Sequence, residues 1–302
     1  MRLLMYREAG VARPGVVVGE EVVDLAALAR RDGSGADVPP ASDLAGVIDR
    51  GQEGLASIRS RLAAYGESHE LSRPLAELDI LAPLDPPRGN VVCIGRNYEE
   101  HAAESARARG ESMQRPTVFT KAQTTITGPF ADIRVDPAIS AEIDWEAELG
   151  VVIGRRGINI RREDALDYVF GYTVVNDVSA RDIQHNWGGQ FFKGKSIDGY
   201  CPIGPWIVTA DEVPDPQALQ VRLRVNGETK QDAGTRDMIF PVDELIAQLS
   251  LGMTLLPGTL IATGTPAGVG FARTPPEFLR PGDVMETEVM GIGTLRNPIV
   301  GI

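Results

Sequence analysis

The segment Asp144-Trp145-Glu146-Ala147-Glu148-Leu149-Gly150 carries two carboxylates separated by one residue. In a strand, side chains at i and i+2 share a face, so Glu146 and Glu148 point together, with Trp145, Ala147 and Leu149 opposite. Two carboxylates that close repel unless a cation or a proton lies between them. The plain alternative is a solvated edge strand. A third carboxylate, Asp177, stands in Asn176-Asp177-Val178-Ser179-Ala180-Arg181-Asp182, at the C-terminal end of the apolar run Tyr172–Val175. Together the three make a hard-oxygen set suited to Mg²⁺ or Mn²⁺. Taken alone, Asp177 reads better as a helix N-cap, a frequent role for aspartate.

A second constellation lies in Gly95-Arg96-Asn97-Tyr98-Glu99-Glu100-His101-Ala102-Ala103-Glu104. On a helix His101 and Glu104 fall at i and i+3, on one face. A carboxylate beside an imidazole fixes its tautomer and raises its basicity, as a general base requires. A surface helix with a weak ion pair would have the same spacing. Of the other two histidines, His69 lies in a polar stretch and reads as solvated. His185 follows Gln184 near Asp177 and is open in role. Lys193 and Lys195 flank Gly194 in what reads as an ordered loop. The run Ala262–Gly270 offers backbone amides and the Thr265 hydroxyl to a carboxylate, although most glycine-rich loops are only tight turns.

Strands must position most of these groups. Val91–Ile94, Trp145–Ile153, Tyr172–Asp177, Leu219–Val225, Thr259–Thr263 and Val284–Val289 read as strands, and Asn226-Gly227 marks a type I′ hairpin. Helical patterns are fewer, near 99–109, 163–168 and 242–252. Strands do not alternate regularly with helices, which predicts an α+β, β-rich domain. Ahead of it, residues 1–85 read as a small α/β unit. It has strands near 1–6 and 14–18, helices near 25–31, 43–49 and 52–65, and Asp43 as an N-cap. The proline-rich stretch 82–90 is the expected boundary, leaving 86–302 as the catalytic domain.

Composition narrows the function classes. The chain has 302 residues, a formal net charge of −12 and no basic stripe, which argues against nucleic acid as a partner. No apolar run approaches the roughly 20 residues that span a bilayer, and the N-terminus does not read as a signal peptide. Two distant cysteines, Cys93 and Cys201, suggest no disulfide framework. A reduced, cytoplasmic protein is the expectation.

In combination these segments resemble the fumarylacetoacetate hydrolase family. The resemblance rests on GRNYxxHxxE at 95–104, ExE at 146–148, NDVSARDIQ at 176–184 and KGKSID at 193–198. GMTLLPGTLIATGTPAGVG at 252–270 and the closing RPGDV and GIGTLRN follow in the family's order. It covers roughly residues 90–300 and implies a mixed β-sandwich roll and a homodimer, with the leading unit seen in many bacterial members. It implies Glu146, Glu148 and Asp177 as ligands of Mg²⁺ or Mn²⁺, and His101 with Glu104 as a catalytic dyad on a lid. Lys195 is implied to contact the reacting oxygen, with Arg96, Lys121, Arg181, Gln184 and Thr265 in the substrate pocket.

The substrate class so implied is a small 2-oxo acid, whose cleavage next to the C2 carbonyl passes through an enolate. The first expectation is hydrolysis of an acylpyruvate- or fumarylpyruvate-like acid, His101 activating water. An oxaloacetate decarboxylase and an isomerase of 2-hydroxyhepta-2,4-diene-1,7-dioate type share the enolate and are the alternatives. Outside enzymes, the alternative is a metal-stabilised binding module. Arg107, Arg109 and Arg115 read as solvated charges, with a second substrate carboxylate as their functional reading.

Overall fold

The computed structural model describes residues 1–31, 43–66, 70–101 and 115–302. Two packed sheets form its body. In the larger, the central strands run in the order Arg2–Glu8, Cys201–Thr209, Val169–Asn176, Ala147–Ile153, Leu260–Ala262, Val91–Gly95 and Thr117–Lys121. The smaller has five strands, Glu228–Gly234, Gln220–Val225, Val284–Val289, Gly293–Gly301 and Ile133–Val135. Both sheets mix parallel and antiparallel pairs. The fold is α+β and β-rich, with few helices, as the sequence predicts.

Ala147–Ile153 and Val169–Asn176 are buried at every position. Their register, Ala147↔Asn176 to Gly150↔Thr173, is antiparallel. One face, with Leu149, Val151, Tyr172 and Val174, packs on Val221, Leu223, Met285 and Leu295 of the smaller sheet. The other, with Val152, Phe170 and Val175, packs on Ile203, Ile207 and residues of the N-terminal segment such as Leu3, Leu28 and Leu55. Strands covered on both faces read as near-continuous apolar runs. A charged group placed on them is therefore buried from the outset.

The N-terminal strands continue the larger sheet, Arg2 pairing with Val208 and Leu3 with Ile207. Helices Leu25–Arg31, Ala45–Asp49 and Gly51–Tyr65 cover it. Asp43 accepts the Ala45 amide at 3.0 Å, but the helix starts at Ala45 with Leu44 in the N-cap position and no side-chain cap, so Asp43 is not the N-cap expected. At Asn226-Gly227 both φ angles are positive, 53° and 81°, the geometry of the hairpin read from the sequence. Two further details differ. The 163–168 pattern is part of a 3-10 helix, Arg162–Tyr168, and Lys195 ends a single helical turn, Phe192–Lys195, rather than lying in a loop. Among the described residues no helix is long and apolar enough to cross a membrane.

Candidate metal and catalytic site

Glu146, Glu148 and Asp177 converge at the end of the two buried strands. Each offers a carboxylate oxygen within 4.8 Å of the others, and all three are buried. Pairing creates the convergence: the Asp177 amide donates to the Glu146 carbonyl at 2.9 Å. The Glu146 amide donates to Asn176 Oδ1 at 3.0 Å. Asp177 does not cap a helix, since the next one starts at Arg181 after Ala180. The solvated-edge reading of Glu146 and Glu148 also fails, because both are buried: Glu148 lies in an internal strand and Glu146 immediately precedes it.

Three cations are built in around the trio. Lys195 Nζ lies 2.6 Å from Glu146 Oε2 and 2.8 Å from Asp177 Oδ2. Lys121 Nζ holds Asp177 Oδ1 at 2.6 Å and the Val178 carbonyl at 3.0 Å. Arg181 Nη2 lies 2.7 Å from Glu146 Oε1, while its Nε bonds Asp144 at 2.8 Å and its Nη1 bonds Gln184 at 2.8 Å. Asp144 is in turn fixed by the amides of Gly270 and Phe271. The Ala262–Gly270 loop thus serves the protein's own carboxylates: the Gly264 amide donates to Glu148 Oε2 at 2.8 Å. The Thr265 hydroxyl bonds the Ala147 carbonyl and accepts from Gln231. At Gly264, φ is +98° and a Cβ would lie 2.7 Å from that of Asn97, so glycine is required for this approach.

The charges do not balance. Asp144, Glu146 and Asp177 are paired with Lys121, Arg181 and Lys195, leaving Glu148, alone of the four carboxylates, with no ion pair among the described residues. Two unit charges at about 4 Å interact by roughly 4 kcal/mol at an effective dielectric near 20. The surplus falls on Glu148, whose hydrogen bond from Gly264 is its only one among the described residues. Burial, then Asp177 and Glu146, push its pKa well above the ordinary carboxylate value. Burial also opposes the charge on Glu146, but Lys195, Arg181 and His101 outweigh it and hold that carboxyl well below the ordinary value. Three buried hard-oxygen donors with one uncompensated charge fit a divalent cation.

A cavity of about 400 Å³ opens onto this cluster. Glu146, Lys195, Arg181, Gln184, Thr265, Arg96 and His101 line it, together with Phe119, Phe191 and Phe271. Phe271 stacks under the Arg181 guanidinium at 4.3 Å, and Phe119 lies 5.1 Å from Lys195 Nζ. His101 is buried and in helical backbone. Glu104, Arg107 and Arg109 lie outside the described residues, as does His69. Lys121 is fully buried behind Asp177 and does not reach the cavity. Arg115 is exposed and bonds Gln248. His185 does line the cavity, its ring edge-on to Phe271 at 5.4 Å.

Sequence reasoning missed Asp144, Gln231 and Asn97. Asp144 had a signal: it precedes Glu146 by two and so belongs to the same alternation. Gln231 holds the Ala147 amide, Thr265 and the Pro266 carbonyl. Asn97 bonds Phe240 and Thr263. All of these contacts span more than 30 residues of sequence, where no local spacing can announce them.

Comparison with known proteins agrees with this geometry. Oxaloacetate tautomerase YisK of Bacillus subtilis is 47% identical over 225 residues, 74% of this chain and 74% of that protein. The structure of a fumarylacetoacetate hydrolase from Exiguobacterium antarcticum superposes with a TM-score of 0.83 at 37% identity, covering 100% of both chains. A maleylpyruvate hydrolase from Sphingobium sp. SYK-6, in complex with manganese(II) and pyruvate, gives 0.79 at 31% identity over 100% of this chain and 99% of that one. Residues 90–300 match the family described as fumarylacetoacetate (FAA) hydrolase C-terminal, and the chain belongs to that family.

Proposed function

We propose that this protein is a divalent-metal-dependent enzyme of 2-oxo acids, and that its reaction is the keto–enol tautomerisation of oxaloacetate. The observation that carries the reading is a buried carboxylate trio one of whose members, Glu146, lines the same cavity as Lys195 and His101. Glu146, Glu148 and Asp177 would hold Mg²⁺ or Mn²⁺, which supplies Lewis acidity toward an oxygen-rich substrate when bound. Lys195 is kept protonated, because Asp177 and Glu146 outweigh the burial that opposes its charge. It places positive charge where the C2 oxygen of an enolate develops. His101 takes the proton from C3 as the C2–C3 double bond forms, and a proton passes to the C2 oxygen. The reverse order regenerates the ketone. Phe119, Phe191 and Phe271 add apolar surface to the cavity wall.

Higher identity to a tautomerase than to a hydrolase supports this order of readings. Hydrolysis of an acylpyruvate-like acid is the second reading, favoured by the manganese- and pyruvate-bound maleylpyruvate hydrolase among the structural relatives. In it His101, oriented by Glu104, activates water toward the C4 carbonyl. Decarboxylation of oxaloacetate and isomerisation of an unsaturated dioate use the same enolate. A homodimer, a cytoplasmic location and a division into units near residue 85 belong to the same proposal.

The test takes metal-stripped protein and presents enolic oxaloacetate, monitored by its ultraviolet absorbance, and an acylpyruvate, with and without Mg²⁺ or Mn²⁺. Metal-dependent ketonisation faster than release of CO₂ is the expected result. Cleavage of the acylpyruvate with ketonisation at the uncatalysed rate would replace the first reading by the second. Silence on both, with metal bound, would favour a binding module.

A further inference from the structure

Arg96 differs from every other cation of the cavity. Lys195 and Arg181 are held by Glu146, Asp177 and Asp144, as described above. Arg96 lines the same cavity, is half-buried as a residue, and makes no ion pair or side-chain hydrogen bond among the described residues. His185 adds no fixed charge: burial, then Arg181 and Lys195, lower its pKa below the ordinary imidazole value despite Glu146 and Asp144.

The backbone makes the arrangement more telling. Arg96 has φ of +56°, a left-handed conformation that costs a side-chain-bearing residue roughly 1–2 kcal/mol. Its neighbours impose that conformation. Gly95 is the last residue of the Val91–Gly95 strand, paired with Thr117. Asn97 is locked by Phe240 and Thr263, and its carbonyl takes the Ile239 amide at 2.7 Å. Glycine would fit the position without strain, yet the residue is an arginine whose charge is left unspent in a cavity. Strain of this kind marks functional positions.

We propose that Arg96 receives the second carboxylate of a dicarboxylic 2-oxo acid, and thereby sets the substrate class of the cavity. The inference rests on the reading of this cavity as a 2-oxo acid site. One carboxylate and the ketone belong to the Glu146–Glu148–Asp177 end. A substrate with a single carboxylate leaves Arg96 unused, whereas a dicarboxylate meets a planar guanidinium that can bind it through two hydrogen bonds.

The test is calorimetric binding of oxaloacetate and of pyruvate to Mg²⁺-loaded protein, with turnover of oxaloacetate measured alongside. R96Q is expected to weaken oxaloacetate about 10- to 100-fold, the range of one charge-assisted pair, and pyruvate by less than about threefold. R96K is expected to fall between, retaining charge without the planar fork. R96G, which accepts the left-handed backbone, should melt within about 2 °C of the parent or above it while losing the same affinity. Equal losses for both ligands, or none for oxaloacetate, overturn the assignment. If oxaloacetate binds through Arg96 but is not turned over, the tautomerase reading fails and the assignment stands. If it is turned over and R96Q leaves its KM and affinity unchanged, the assignment fails and the tautomerase reading stands. Failure of both ligands to bind the parent protein removes both.

Discussion

Two buried carboxylate centres can be set side by side. Near the N-terminus Asp24 accepts the Tyr6 hydroxyl at 2.9 Å, Arg13 Nη1 at 3.1 Å and the Ala27 amide at 2.6 Å. Asp24 shares Arg13 with Glu8, which Arg73 also pairs, so two carboxylates meet two guanidiniums; both Asp24 oxygens are bonded, and the group also caps the first turn of Leu25–Arg31. Burial, then Asp24, raise the Tyr6 pKa, so the phenol remains a donor. At the other centre four carboxylates meet three cations, and Glu148 holds the surplus. A balanced centre completes a fold, and an unbalanced one leaves charge for something the chain does not supply. Burial alone does not separate them, since all of these carboxylates are buried.

The largest effect that sharpens the contrast is on metal binding. Glu148→Gln keeps an acceptor for the Gly264 amide and removes the surplus charge. It is expected to lower Mg²⁺ affinity by more than about 100-fold, since even residues behind the ligands are worth 10- to 100-fold. Activity should fall with it, while metal-free protein melts in urea at the same concentration as the parent or higher. Retained affinity would remove Glu148 from the ligand set. A marked loss of metal-free stability would make it a structural carboxylate like Asp24.

A smaller effect is on protons. The folded pKa of Glu148 is raised, so in metal-free protein its ionisation opposes folding. That cost is absent below its unfolded value and grows as pH rises toward the folded one. The depressed Glu146 works the other way: its contribution is present above its unfolded value and is lost as pH falls through the folded one. Wherever that raised pKa keeps Glu148 protonated in metal-free protein, Mg²⁺ binding ionises it and releases up to about one proton. Calorimetry in two buffers of different ionisation enthalpy measures this. Release should vanish in Glu148→Gln, and its absence in the parent would mean that Glu148 is already ionised there.

Legibility followed locality. Strand alternation announced Glu146 and Glu148, and the end of an apolar run announced Asp177, because both signals lie within a few residues. The same locality made the Asn226-Gly227 turn and the Val284–Val289 strand readable. It could not tell a solvated edge from a doubly covered strand, since that depends on the partners of Ala147–Ile153 in the sheet. Nor could it show that the amides of the 262–270 loop bind Glu148 instead of a substrate carboxylate, or that Lys121 stands behind Asp177. The left-handed backbone of Arg96 was hidden because it is imposed by Asn97 contacts more than 140 residues away.

The smallest expected effect comes from the balanced centre. Asp24→Asn retains an oxygen for the Ala27 amide or the Tyr6 hydroxyl, and asparagine caps helices about as well as aspartate. What it loses is the charge facing Arg13, whose side chain is 31% exposed, so solvent screens much of that attraction. The cost should be about 1 kcal/mol in a urea melt, and the same with and without Mg²⁺, because no surplus charge is involved. A loss above about 3 kcal/mol would place Asp24 among charges that nothing else can compensate. A loss that appeared only in metal-loaded protein would couple the two centres, and the division between a fold-completing carboxylate and a ligand-seeking one would fall.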